Sequence, residues 1–220
     1  MSDRELAMTR VVPAIAEDIA YEQRCAEDAS WTGTRVFVGI LAFAFAGLAF
    51  SYFYLRSSDS FDLWRPHDMT APIPFGGAIL GLSLLSMLLV YFGLRRLRSG
   101  MFVDWDVAGW VAFGAAMLAL ALQCDEFTSL PFFPGASGYS STFIGWAAMN
   151  CGLLFGGAYW LETLLARSHR LRRSLASEGG VLTSDLAPAR LLRASINSCS
   201  FYWMFVGAIE ILFWILFYAI

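Results

Sequence analysis

The stretch Val36–Leu55 reads VFVGILAFAFAGLAFSYFYL and runs for 20 residues without a charged side chain. An α-helix of about 20 mostly apolar residues crosses the hydrocarbon core of a bilayer. In lipid every backbone polar group must be hydrogen-bonded within the protein, which favours a helix over an open strand. This stretch therefore predicts a membrane-spanning α-helix.

Four further stretches have the same character, and together they predict an all-α polytopic membrane protein, a bundle of five transmembrane helices. The predicted spans are about 36–55, 75–94, 107–124, 143–165 and 199–220. Only the last two contain a charged residue, Glu162 and Glu210 respectively. Residues 1–35 are predicted to form a cytoplasmic N-terminal segment, and residues 166–198 a cytoplasmic loop.

The overall composition excludes other classes of protein. Hydrophobic residues make up 58% of the 220-residue chain, and charged residues only 15%, against about 25% in a typical soluble domain. The formal net charge of −3 supplies no basic field for nucleic acid, so no nucleic-acid partner is expected. What remains is a multi-pass protein, which we expect in the inner (plasma) membrane of a bacterium.

Arginine placement predicts the orientation of the chain. Thirteen of the fifteen basic residues fall in the N-terminal segment, the second loop or the fourth loop. The positive-inside rule then places the N-terminus in the cytoplasm and the C-terminus outside. Six of these arginines are expected to contact anionic phospholipid headgroups at the inner surface: Arg95, Arg96, Arg98, Arg170, Arg172 and Arg173.

The residue types that carry catalysis or hold metals are scarce in the predicted spans. Both histidines, His67 and His169, lie in predicted loops. A haem or copper centre inside a bundle needs inward-pointing imidazoles or thiolates. The four cysteines form no CxxC pair. We therefore predict no catalytic residue, no metal ligand and no cofactor in this chain.

Carboxylates inside a membrane are costly, so each requires an explanation. Glu210 lies near the middle of the last span, and we expect it to face protein, with Asn150 as a candidate partner. We interpret it as joining helices rather than relaying protons, since the sequence indicates no second titratable group at that depth. Glu162 is expected to reach water or an arginine. Asp125 and Glu126 are expected to end the third helix in water.

Two smaller signals concern helix contacts and helix ends. The pairs Gly77–Gly81 and Gly152–Gly156 have the spacing of small residues at close helix–helix contacts. Asp104 and Asp106 precede the third span, and aspartate is a favoured N-cap residue. We therefore expect tight packing at the glycine pairs and a capped start of the third helix.

Several short motifs recur in an order typical of one family. The first span ends in Phe50–Arg56, FSYFYLR, and is followed by Trp64; the third ends in Gln123–Phe127, QCDEF. Tyr139–Phe143, YSSTF, opens the fourth span, and Gly156–Gly157 follows within it. The last span opens with Tyr202–Val206, YWMFV, and closes with Leu216–Tyr218. From Val36 onward the chain resembles subunit III of the haem-copper terminal oxidases, in its five-helix form.

The resemblance carries over some polar positions and not others. It extends to Gln123 and Glu126 in the Gln-x-x-Glu pattern, and to Tyr202 and Trp203. A membrane-embedded glutamate of the family corresponds to Leu41 here. The family's other histidine and aspartate positions correspond to Asn150, Leu153, Met204 and Gly207. Roles assigned to those polar groups do not transfer.

The resemblance implies a subunit without catalytic residues of its own. Such a subunit packs against oxidase subunit I, beside subunit II and other respiratory-complex subunits, and holds phospholipids. Haem and copper would be bound by the partner subunits, and the complex would reduce dioxygen while moving protons. Two alternatives remain: an accessory subunit of a nitric-oxide reductase, and a small transporter or channel, which would need a polar file across several helices or broken helices.

Overall fold

The computed structural model describes residues 3–59, 64–66, 69–177 and 186–219. This part of the chain contains helices and no strand, which confirms the all-α prediction. The helices are α1 (Asp3–Ser57), α2 (Ile73–Arg98), α3 (Phe102–Ser129), α4 (Gly138–Ser177) and α5 (Ala187–Trp214). A single π-helical turn, Ile215–Ala219, continues α5.

Among the described residues, four helices are long and apolar enough to cross a membrane. They are Tyr21–Ser57 within α1, Ile73–Arg98, Phe102–Ser129, and Pro188–Ala219, which joins α5 to the π turn. The remaining helix, α4, is 40 residues long, but Asn150, Glu162 and several glycines interrupt its apolar run. The chain is thus a helical, multi-pass membrane protein, and the span at 143–165 stays a prediction.

The helices are longer than the predicted spans. Helix α1 continues without a break through residue 35, the predicted end of the N-terminal segment. Much of the predicted loop 166–198 is helical, because α4 extends to Ser177 and α5 begins at Ala187. His169 is exposed on that extension of α4, whereas His67 lies outside the described residues.

Contacts between helices explain how the bundle is held together. Helix α2 packs along α3 and also against α5, while α4 packs against α3 and α5. Helix α1 lies against α4 and α5, and its outward face is apolar, with Phe43 83% exposed. Such a face suits a lipid environment, in which an apolar side chain has no reason to be buried.

The glycines at the closest helix contacts differ from the predicted pairs. Gly77, Gly81 and Gly152 have no other side chain near the place of a Cβ atom. A Cβ on Gly157 would instead lie 2.9 Å from the ring of Tyr202, and Gly76 faces the ring of Tyr218. Successive helical residues point about 100° apart, so the predicted pairs lie on the outer surface beside the glycines that make contact.

The two ends of the bundle differ in chemistry. One end, here called the arginine end, holds Arg96, paired with Asp104 at 2.6 Å, and Arg172, paired with Asp106. Helix α3 begins after Met101, which makes no side-chain cap bond. The prediction that Asp104 and Asp106 cap α3 is therefore wrong: their carboxylates bind arginines of α2 and α4, which charge attraction favours.

Candidate functional site: a buried polar cluster

Six polar side chains from four helices meet inside the bundle. The fractions of the residues that remain exposed lie between 0% and 8%. Buried polar groups are costly unless they are hydrogen-bonded, and an apolar bilayer supplies no alternative partner. The members of this polar cluster are Ser83 of α2, Gln123 and Glu126 of α3, Asn150 of α4, Glu210 of α5 and Tyr218 of the π turn.

Glu210 forms the deeper half of the polar cluster. Its Oε1 accepts hydrogen bonds from Asn150 Nδ2 at 2.9 Å and from the Ser83 hydroxyl at 3.0 Å. Only 1% of Glu210 is exposed. The prediction that Glu210 faces protein and contacts Asn150 is confirmed, and the carboxyl joins α2, α4 and α5.

Glu126 forms the other half, and here the prediction was wrong. Glu126 does not end α3 in water; it is fully buried, while Asp125 beside it is exposed. Its Oε1 accepts from the Tyr218 hydroxyl and its Oε2 from Gln123 Nε2, both at 2.6 Å. Gln123 and Glu126 are three residues apart and therefore share the helix face that points inward.

The amide of Asn150 joins the two halves. Its Nδ2 group donates to Gln123 Oε1 at 3.2 Å as well as to Glu210. A continuous file of hydrogen bonds thus runs from Tyr218 through both carboxyls to Ser83. Asn150 Oδ1 is buried and has no hydrogen-bond partner among the described residues. Contrary to the expectation from sequence, Glu210 does have a second titratable group connected to it, Glu126.

Tyrosines at the end of the bundle opposite the arginines satisfy the carbonyls of the C-terminal π turn. The Tyr52 hydroxyl donates to the Leu216 carbonyl at 2.8 Å, and the Tyr139 hydroxyl to the Phe217 carbonyl at 2.9 Å. The last carbonyls of a helix lack intrahelical donors, so these two bonds fasten the final turn to α1 and α4. Arg56 in turn donates to the Tyr52 hydroxyl at 3.0 Å.

Aromatic rings fill the space around these tyrosines, and we call this the aromatic end. The rings of Tyr52 and Trp64 meet edge to face at 5.1 Å, and the Tyr139 amide donates to the Trp64 carbonyl at 3.1 Å. The guanidinium of Arg65 lies 4.8 Å from the centre of the Tyr139 ring. The motifs near residues 52, 64, 139 and 217 thus converge on one structural unit.

Tyr202 and Trp203 lie away from the polar cluster, towards the arginine end. The Tyr202 hydroxyl donates to the Leu153 carbonyl at 2.7 Å. The side chain of Trp203 is fully buried. Both rings pack on Gly157, where a Cβ atom would lie 2.9 Å and 3.1 Å from them. Their role in this structure is to hold α4 and α5 together.

The remaining predicted residues lie on the surface. Glu162 is exposed on α4, and Arg95 and Arg173 are exposed at the arginine end. Arg170 donates to the Ala166 carbonyl of its own helix at 3.2 Å, and Arg98 donates to Asn197 Oδ1 at 2.7 Å. Several arginines that were predicted to meet lipid therefore also bind protein groups, Arg96 and Arg172 through their ion pairs.

Within the part of the chain that the structure describes, no group of three histidine, cysteine, aspartate or glutamate residues could hold a metal ion. All four cysteines are free thiols. No family model matches the chain, and no curated protein matches it at a significant level.

Proposed function

We propose that this chain is the non-catalytic subunit III of a proton-translocating haem-copper oxidase complex. In this role it stabilises subunit I and the lipids around it. Electron transfer to dioxygen takes place at haem and copper held by partner subunits. The chain itself contributes a rigid, lipid-facing bundle.

One observation carries the proposal: motifs that are far apart in sequence meet at the aromatic end. Tyr52 belongs to the first motif, Tyr139 to the motif that opens α4, and Phe217 to the last. Each is weak as a sequence signal, but hydrogen bonds join them directly. Residues that come together to build one structural unit are more informative than the same residues matched singly.

The polar cluster gives further support. One half of it consists of Gln123 and Glu126, which match the family's Gln-x-x-Glu pattern. Glu126 also accepts a hydrogen bond from Tyr218, a residue of the C-terminal motif. Both side chains are buried, and Gln123 donates a hydrogen bond to Glu126. The Gln-x-x-Glu spacing therefore has a structural reason in this bundle.

The proposal includes five membrane crossings with the N-terminus in the cytoplasm. The support is the concentration of arginines at one end of the bundle, since a positively charged end is retained on the cytoplasmic side. Reporter fusions after Arg98 and after Pro134 should give opposite results, with Arg98 inside. Equal location of the two sites would contradict this topology.

The arginine end is also where we place anionic phospholipid. A cleft of about 330 Å³ lies between α1, α2 and α5. Arginine side chains near an anionic surface contribute about 1 kcal/mol each. Native mass spectrometry should show retained anionic lipid, reduced when exposed arginines are replaced by glutamine. The cleft is lined by Glu27, Arg98, Arg190, Arg193, Ala194 and Asn197.

The decisive experiment is gentle purification of the chain from a bacterial membrane, followed by a haem spectrum and an oxygen-uptake measurement. A haem-copper oxidase subunit should bring haem and dioxygen reduction with it. Consumption of nitric oxide instead of dioxygen would indicate the related reductase. A purified chain without haem and without other respiratory subunits would contradict both.

A small transporter or channel is the second candidate, and the polar file favours it. The six side chains of the polar cluster form a hydrogen-bonded path across several helices, as a transport pathway would require. All six are nearly fully buried, so the path opens to neither side in this conformation. Proton flux through the chain alone, reconstituted in liposomes, would favour this candidate over the oxidase subunit.

A further inference from the structure

The polar cluster contains two carboxyls and no compensating positive side chain. Its four other members are hydroxyl and amide side chains, and the described neighbours Tyr139 and Cys151 bring a phenol and a thiol rather than a cationic group. The cation Arg65 lies over the ring of Tyr139, at 4.8 Å from its centre, and makes no hydrogen bond or ion pair with either carboxyl. Two like charges in a dry interior cannot both persist without a counter-ion. The arrangement therefore calls for a bound cation, and a proton is the smallest.

The hydrogen bonds of the two carboxyls differ in which oxygens they occupy. Glu126 accepts one bond on each oxygen, from the Tyr218 hydroxyl and from Gln123 Nε2. A carboxylate is an acceptor on both of its oxygens, whereas a protonated carboxyl is a donor at one of them. Glu210 accepts two bonds, from Asn150 Nδ2 and the Ser83 hydroxyl, and both are on Oε1. Glu126 is thus bonded as a carboxylate, whereas Oε2 of Glu210 accepts no bond from these donors and can carry a proton.

A third, independent observation points to where the proton lies. Asn150 Oδ1 is a buried acceptor, and none of the residues that the structure describes donates a hydrogen bond to it. The Nδ2 atom of the same amide already donates to Glu210 Oε1. A proton on Oε2 of Glu210 would complete the pair, because a carboxylic acid and an amide can each donate to and accept from the other.

We propose that the polar cluster is a proton-binding site. Glu210 holds one proton on Oε2 and donates a hydrogen bond through it to Asn150 Oδ1, while Glu126 stays ionised. The site binds a single proton for its two carboxyls. Glu126 lies near the C-terminal end of α3, whereas Glu210 lies within α5. The site is independent of the proposed oxidase role and would exist equally in a transporter.

Infrared spectroscopy tests this directly, because a neutral carboxyl has a C=O stretching band that a carboxylate lacks. The sample is the full chain purified at neutral pH, with whatever subunits accompany it. We expect one neutral-carboxyl band that is lost in Glu210→Gln and retained in Glu126→Gln. Glu162→Gln is the matched control, since that glutamate is exposed on α4, and it should leave the band unchanged.

Asn150→Leu provides a second readout that does not depend on Glu210→Gln being folded. It removes the acceptor of the proposed proton, so the band should persist but shift to higher wavenumber. Several results would overturn the proposal: no band in the unmodified chain, a band lost in Glu126→Gln but kept in Glu210→Gln, or no shift in Asn150→Leu. Absence of the band together with stabilisation by sodium ions, but not by potassium ions, would show a metal cation in place of the proton.

Discussion

Replacing Asn150 with leucine, which has nearly the same shape, should weaken the bundle measurably. Asn150 Nδ2 donates to Glu210 at 2.9 Å and to Gln123 at 3.2 Å. Hydrogen bonds between membrane helices contribute about 0.6 kcal/mol on average and up to about 1.7 kcal/mol. Loss of both should therefore lower the free energy of unfolding by about 1–3.5 kcal/mol, or roughly 5- to 300-fold in the equilibrium constant.

The measurement is equilibrium unfolding of the purified chain in mixed detergent micelles, followed by the loss of helical circular dichroism. Met149→Leu is the matched control: it changes the adjacent residue, which lines an apolar groove, and removes no hydrogen bond. A double-mutant cycle with Glu210→Leu isolates the bond between Asn150 and Glu210. We expect a coupling free energy of about 0.6–1.7 kcal/mol from the observed bond, and up to about 3.4 kcal/mol with the proposed bond from Glu210 to Asn150 Oδ1 included.

Unfolding of Asn150→Leu at the same free energy as Met149→Leu, or a double-mutant cycle without coupling, would contradict these hydrogen bonds. Either result would mean that the amide does not bond the neighbouring helices in the membrane protein. A loss well above about 5 kcal/mol would also disagree, since it would exceed the contribution of these two hydrogen bonds and of the proposed bond from Glu210 to Asn150 Oδ1.

Two further predictions concern packing and charge. Gly157→Ala should destabilise the bundle by about 1–3 kcal/mol, the usual cost of overpacking, because its Cβ atom would lie 2.9 Å from the Tyr202 ring. Gly156→Ala is the control in the same unfolding assay, since the nearest contact of its Cβ atom would be 3.9 Å away. Equal effects of the two substitutions would contradict this packing. Arg172→Gln should cost up to about 1 kcal/mol through its partly exposed pair with Asp106, an effect that shrinks at high salt. The exposed Arg173→Gln should show no such salt dependence, and a matching loss there would contradict a specific ion pair.

Part of the polar cluster could be predicted from the sequence. A carboxylate at mid-span must find a polar partner. Asn150 is a candidate amide at a similar depth, and the structure confirms this contact. Glu126 was missed because it lies beside Asp125 near the end of a helix, where charges usually meet water. The available signal was the spacing of Gln123 and Glu126 on one face, which is inward only because α3 is rotated that way.

Apolar length and charge placement alone determined that this chain is helical, crosses a membrane and concentrates its arginines at one end. These properties depend on the free energy of transferring each segment from water into lipid, and the composition of the segment determines that free energy. The tertiary structure decided which face of each helix turns inward. That rotation placed Gly157 rather than Gly156 against Tyr202, directed Asp104 and Asp106 to arginines instead of a helix cap, and joined Glu126 to Glu210. Such choices depend on the shape of the neighbouring helices, which no single segment contains.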